Sequence, residues 1–239
     1  MAIVFDMLRK RGIDLRGAKI LEVGSHIGFG LIPIEASNRC FGLEYFIENC
    51  KRAKYIADLF NKKTTCFVQG TAAALPFSTG SFDFIQTHHV IEHVPPETWE
   101  TYISELQRVL KPKGVCLISF PQWHHPLEPH YKLPFLHWLP KKYRPAYARL
   151  TPRKDHIASS EQAYEPVMSG KMKLIFTEIP KVRKVKQIVV RNFSRYEDIT
   201  REFAGHQLIR DSMGRIKYTL AISLSNTWIC PERKLLLFK

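Results

Sequence analysis

Over the first 120 residues, short apolar runs alternate with stretches whose apolar positions recur at helical spacing. That alternation predicts strands alternating with helices, the pattern of a parallel α/β sheet. Lys19-to-Val23 (KILEV) reads as a buried strand, followed by a glycine-containing turn and a helix through Ala36. Cys40-to-Glu44 (CFGLE) predicts a second strand and Phe46-to-Phe60 a helix. Thr65-to-Val68 predicts a short third strand, and Phe82-to-Thr87 (FDFIQT) a fourth, after the turn signal Ser78-Thr79-Gly80. A helix over Glu97-to-Leu110 follows Pro95-Pro96 and is stopped by Lys111-Pro112; Val115-to-Phe120 (VCLISF) is the fifth strand.

From Pro121 the pattern changes. Residues 121–152 interleave prolines with Trp, His, Tyr and Lys, which excludes a regular helix or a central strand. The aromatic load predicts an ordered insertion over the sheet edge rather than a free linker. Ser194-Arg195-Tyr196-Glu197 has the form of a capping box and predicts a helix ending near Gly205. Lys217-to-Leu224 and Lys234-to-Phe238 predict closing strands. The expected architecture is a Rossmann-like, doubly wound, mostly parallel seven-stranded sheet with an inserted lid rich in proline and aromatics. It is expected as one domain over residues 1–239: a cofactor-binding half (1–120), an acceptor-side insertion (121–170), and a closing helix and strands (171–239).

Composition narrows the class. Hydrophobic residues make up 45% and charged residues 24% of 239, so the chain is globular and long enough to bury a core without staples. Cys40, Cys50, Cys66, Cys116 and Cys230 are odd in number and show no C-x-x-C spacing, which favours a reducing compartment. The first residues, MAIVFDMLRKRG, carry Asp and Arg too early for a signal peptide, and no run of 18 apolar residues exists. The expected location is the cytoplasm. The net charge of +14 is uneven: residues 1–120 hold 14 Lys and Arg against 12 Asp and Glu, residues 121–239 hold 22 against 10. A basic second half suits an anionic partner, such as a phosphate-bearing acceptor, nucleic acid or acidic membrane surface; a solvated face is the plainer reading.

The candidate chemistry begins where KILEV runs into Gly24-Ser25-His26-Ile27-Gly28-Phe29-Gly30. Glycines let backbone amides approach a ligand, and Glu44, 20 residues after Gly24, ends the next strand where a carboxylate can accept from ribose hydroxyls. A glycine turn alone is common to several nucleotide-binding classes. Four segments together are more specific: ILEVGSHIG, GLEYFIENCKRAK, QGTAAALPFSTGSFDFIQTHHVIEHV and ELQRVLKPKGVCLISFP. In this order, over about residues 15–125, they resemble the class I S-adenosylmethionine-dependent methyltransferases, and most of all the methyltransferase type 11 group.

The resemblance implies S-adenosyl-L-methionine as cofactor. It places Glu22 at the methionine end, Glu44 on the ribose, Thr71 and Ala72 by the adenine, and Gln86 to His89 beside the transferred methyl. Gly24, Ser25, His26, Gly28, Tyr45 and His88 complete the expected cofactor shell. Three positions depart from the family pattern. His26 replaces the middle glycine of G-x-G-x-G, Thr71 stands where Asp is usual, and Lys113 replaces a glycine of the LKPGG turn. The alternative they leave open is a non-catalytic binding module on the same scaffold. Glu44 also has a structural reading as a cap of the following helix.

His89-Val90-Ile91-Glu92-His93 matches the zinc motif H-x-x-E-H. Zinc needs both histidines on one face of a continuous helix, and Pro95-Pro96 leaves barely one turn, so no metal is expected. A divalent-ion cluster of His89, Glu92 and His93 with His124 or His125, as in some RNA 2′-O-methyltransferases, remains a secondary reading.

Methyl transfer to a hydroxyl needs alignment and a base, for which histidine suits neutral pH. His88 and His89 after strand four, and His124, His125 and His130 after strand five, are the candidates, with His89, His88 and His124 placed first. THHV lacks the N/D-P-P-Y pattern of amide methylation, and no Pro-Cys nucleophile stands in its place. In the insertion, Trp123, His125, Tyr131, Phe135 and Trp138 are suited to stacking on an acceptor or to a membrane interface, and Lys132, Lys141, Lys142 and Arg144 to phosphate. Pro121-to-Phe135 (P-x-x-x-x-P-L-E-P-H-Y-x-L-P-F) weakly resembles methyltransferases of glycan and lipid-linked saccharide pathways. The expected function is therefore O-methylation of a small-molecule, glycan or lipid-linked acceptor. RNA methylation is the alternative, without a recognisable RNA-binding module.

Overall fold

Short apolar runs form the centre of a seven-stranded sheet among the described residues, with the polar segment RYED at one edge. The computed structural model describes residues 2–34, 37–128, 133–150, 178–203 and 232–239. Its elements are α1 (Ala2–Lys10), β1 (Lys19–Val23), β2 (Arg39–Glu44), α2 (Ile47–Leu59), β3 (Thr65–Gln69), β4 (Phe82–His88), α3 (Trp99–Val109), β5 (Leu110–Pro121), α4 (Arg144–Leu150), α5 (Val182–Asn192), β6 (Arg195–Asp198) and β7 (Glu232–Phe238). The strand order is β3-β2-β1-β4-β5-β7-β6. Strands β1 to β5 are parallel, and β7 runs antiparallel between β5 and β6. The expected Rossmann-like, mostly parallel sheet is present.

Helices cover both faces. In α1, Val4, Met7 and Leu8 recur at helical spacing and pack on Ile20, Phe84, Leu117 and Leu236. The opposite face holds Leu21, Ile85, Cys116 and Ile118 against Ile103 and Leu106 of α3 and Val185 and Val189 of α5. The order reverses between β1 and β4, so the carboxyl ends of β1, β2 and β4 open onto a topological switch point, where such sheets bind ligands.

Three expectations need correction. Residues 25–34 form successive turns, closed by Gly28 N–H to Ser25 O, Leu31 N–H to Gly28 O and Ile34 N–H to Leu31 O, rather than the expected helix. Gly28, Gly30 and Pro33 within six residues weaken an α-helix there. The Ser194–Glu197 segment does not cap a helix. Arg195–Asp198 pairs with β7, and the Ser194 hydroxyl donates to Phe238 O at 2.8 Å. A helical turn begins instead at Thr200, whose N–H and hydroxyl both donate to Asp198 Oδ1. Finally, β5 begins at Leu110 rather than Val115, with the pairing shifted between Phe82 and Phe84. There Lys113 adopts φ 64°, the left-handed conformation that the family's glycine supplies freely. The segment Lys217-to-Leu224, the helix end near Gly205, His130, Tyr131, Lys132 and Cys230 lie outside the described residues.

Candidate functional site

Register across the sheet brings the expected cofactor residues into one row. Glu22 of β1 pairs with Gly42 of β2 on one side and Gln86 of β4 on the other, so their side-chain positions share a face. Gln86 Nε2 donates to Glu22 Oε1 at 2.7 Å. Both residues are buried, and Glu22 Oε2, Gln86 Oε1 and the Ser25 hydroxyl have no hydrogen-bond partner. Burial, opposed only in part by the Gln86 bond, pushes the Glu22 carboxyl up to about 7. A Cβ at Gly30 would lie 2.1 Å from Glu22 Oε1, and one at Gly42 would lie 2.6 Å from Ser25 Oγ. Only glycine allows the turn to close over these acceptors.

The turn itself is tied to β2. Gly24 N–H and Ser25 N–H donate to Leu43 O, and His26 N–H donates to Glu44 Oε2 at 2.8 Å. His26 has φ 47°, so the residue that replaces the family's glycine keeps the glycine conformation. Glu44 Oε1 accepts from Phe46 N–H and Asn49 Nδ2, so the carboxylate joins the turn to the start of α2. A carboxylate offers about four acceptor positions, and three donors occupy Glu44 here. Tyr45 is exposed beside it. Thr71 is exposed and accepts from Ala73 N–H, and Ala72 packs on the core.

At the end of β4 two adjacent histidines sit in opposite environments. His88 Nδ1 is 2.6 Å from the Ser119 hydroxyl; burial, with the nearby Lys234 charge, lowers its pKa to about 4. His89 stands at φ 55°, with Nδ1 3.2 Å from Glu92 Oε1 and Nε2 3.3 Å from Glu232 Oε1. Burial opposes its charge, but the neighbouring Glu232 and Glu92 carboxylates outweigh that and raise its pKa to about 9. Burial likewise opposes ionisation of Glu232; His89 and Lys234 reverse this and hold it down to about 2. The Glu92 carboxylate is wholly enclosed, close to His89 but without hydrogen-bond alignment.

The insertion's residues divide. Trp123 and His124 rings meet edge to face at 5.3 Å, and His124 is exposed. His125 Nδ1 is bonded to Leu127 O. Arg144 does not face an acceptor: it is buried, donating to Leu139 O and His137 O, because the turns at 136–143 leave those carbonyls without partners. Lys141 is paired with Glu178 at 2.6 Å. Among the described residues, no group of three or more His, Cys, Asp and Glu is placed to hold a metal ion, and no helix is long and apolar enough to cross a membrane. A separate cavity of about 310 Å³ is lined by Phe5, Arg9, Ile13 and Asn38 among others, residues of α1 and of the segments that lead into β1 and β2.

Glu232, Ser119 and Lys234 were not anticipated. No local motif marks them; they reach the site only through the β4–β5–β7 pairing.

Residues 21–118 match the methyltransferase domain family. The matched residues run from β1 into β5. The chain is 35% identical over 132 residues to a demethylmenaquinone methyltransferase of Lactococcus lactis, covering 53% of this chain and 50% of that protein. It thus spans about half the length of the curated relatives it matches. The YcgJ protein of Bacillus subtilis has the same fold (TM-score 0.57, 15% identity, 100% of this chain and 99% of that one). So does a phosphoethanolamine N-methyltransferase of Haemonchus contortus, solved with phosphomonomethylethanolamine and S-adenosylhomocysteine (TM-score 0.56, 15% identity, 98% and 51%).

Proposed function

We propose that the protein transfers the methyl group of S-adenosyl-L-methionine to a hydroxyl of a small-molecule, glycan or lipid-linked acceptor that carries negative charge. One observation carries the cofactor assignment: the unsatisfied acceptors Glu22 Oε2, Gln86 Oε1 and Ser25 Oγ gathered under a glycine turn that a Cβ would block. Buried polar atoms without partners are costly, and a ligand bearing an ammonium group and hydroxyls supplies the donors they lack. Glu22 and Gln86 would take the amino-acid end, Glu44 the ribose, and the Thr71–Ala72 turn the adenine.

The cofactor supplies an activated methyl on sulfonium; the chain's residues align the acceptor and handle its proton. His88, neutral at pH 7 and fixed by Ser119, is the side chain that accepts the hydroxyl proton. Its low basicity leaves most of the rate to alignment and exclusion of water. His89, charged through neutral pH, is unsuited to be the base; its positive charge at the same strand end suits an anionic acceptor. His124 is the remaining base candidate. The buried free thiols Cys40, Cys50 and Cys116 fit a cytoplasmic location.

Calorimetry with S-adenosylhomocysteine tests the assignment. One molecule per chain is expected, with Glu44→Ala weakening binding by about 1.5–3 kcal/mol, the value of a hydrogen bond to a charged group. A folded sample that shows no binding heat removes the enzyme reading.

A further inference from the structure

Beyond the carboxyl end of β5, aromatic rings stand in solvent. Phe135 and Trp138 are three residues apart at a 3₁₀ turn (Leu136–Trp138), a spacing that places side chains on one side. They are 50% and 39% exposed, with ring centroids 5.1 Å apart. Trp138 lies 6.0 Å from Trp123 and donates its indole N–H to Trp123 O. Phe135 holds φ 57°, a conformation a bulky residue rarely adopts, and leaves the burial to Leu133 and Leu136.

Cations are set among these rings. Lys181 Nζ sits 4.8 Å over the Trp123 ring, and Lys142 Nζ sits 4.8 Å over Tyr143, which is itself exposed. Neither lysine makes an ion pair with a described carboxylate, whereas Lys141 beside them is neutralised by Glu178. Nothing in the proposed chemistry uses this surface.

We propose that it docks the protein on an anionic lipid bilayer. Trp and Tyr favour the headgroup level, Phe135 is free to enter the acyl boundary, and the unpaired lysines meet anionic headgroups. Residues 121–239 hold 22 Lys and Arg against 10 Asp and Glu, a balance that favours an anionic partner. Docking does not rest on the methyltransferase reading.

Co-sedimentation of the full chain with vesicles tests it. Binding is expected to phosphatidylcholine vesicles containing a quarter phosphatidylglycerol, with a blue shift of tryptophan emission, and not to phosphatidylcholine alone. High salt should reverse most of it. Phe135→Ala with Trp138→Ala should abolish the blue shift and lower partitioning about tenfold, and Lys142→Ala or Lys181→Ala about fivefold each; circular dichroism verifies that each variant folds. Three outcomes overturn docking: no binding of the folded wild type to anionic vesicles, aromatic variants that bind unchanged, or single-stranded nucleic acid bound through these residues while vesicles are not. Vesicle binding without S-adenosylhomocysteine binding would sink the methyltransferase reading and leave docking standing.

Discussion

At the scale of single residues, Glu22 is a buried carboxyl held at the expense of stability. Its pKa of about 7, raised by burial, means the folded state holds a proton that the unfolded state releases near 4.5. Stability therefore falls as pH rises from about 4.5 to 7, and above that the charge stays buried. Glu22→Gln should remove this slope and stabilise the protein above pH 7 by up to about 3 kcal/mol, while weakening S-adenosylhomocysteine binding. Urea denaturation at pH 5 and pH 8 reads the first effect, calorimetry the second; equal slopes in both proteins would contradict it. His89 and Glu232 work in the opposite sense. The raised His89 pKa contributes stability that is full below 6.5 and lost as pH rises through about 9. The lowered Glu232 pKa contributes stability that is present above 4.5 and lost as pH falls through about 2. Their pairing is thus strongest between about pH 4.5 and 6.5. Because the His89 side chain is 41% exposed, Glu232→Gln should cost only about 1 kcal/mol at pH 7 and less at pH 9.5, and should lower the His89 pKa in an NMR titration.

At the scale of elements, the turn after β1 and the start of α2 form one unit, joined through Glu44 and closed over Glu22 by Gly30. Gly30→Ala drives a Cβ into the Glu22 carboxylate, and overpacking of this kind costs about 1–3 kcal/mol. Thermal unfolding should show the loss, and donor affinity should fall with it; a variant that binds and melts like the wild type would show the turn to be more pliant. The strands were legible because each is a short apolar run bounded by turn residues. The segment after Gly24 was misread because its apolar spacing suggested a helix, whereas its glycines and proline decide for turns. Ser194–Glu197 carried a valid local signal that lost to β7, whose backbone offers Arg195–Asp198 a full ladder.

At the scale of the whole molecule, charge separates the two ligands. Residues 1–120 are near neutral, and Glu22, Ser25 and Gln86, which the proposal gives to the donor, are buried, so S-adenosylhomocysteine affinity should change little between 50 and 500 mM salt. The affinity of an anionic acceptor should fall over that range, since exposed charges are screened beyond ~10 Å at 0.1 M salt. Isothermal titrations at both salts decide it, and a donor affinity that falls as steeply would contradict the proposed donor site. The sequence by itself determined the five parallel strands, the glycine turn and the acidic residues at the ends of β1 and β2, because apolar periodicity and turn chemistry act over a few residues. It could not show that Gln86 bonds to Glu22, that Arg144 is consumed by backbone carbonyls, or that Glu232 clasps His89 across 143 positions. Only the tertiary structure decided those, along with the opposite charge states of His88 and His89, because burial and cross-strand register are set by the packed sheet and not by neighbours in the chain.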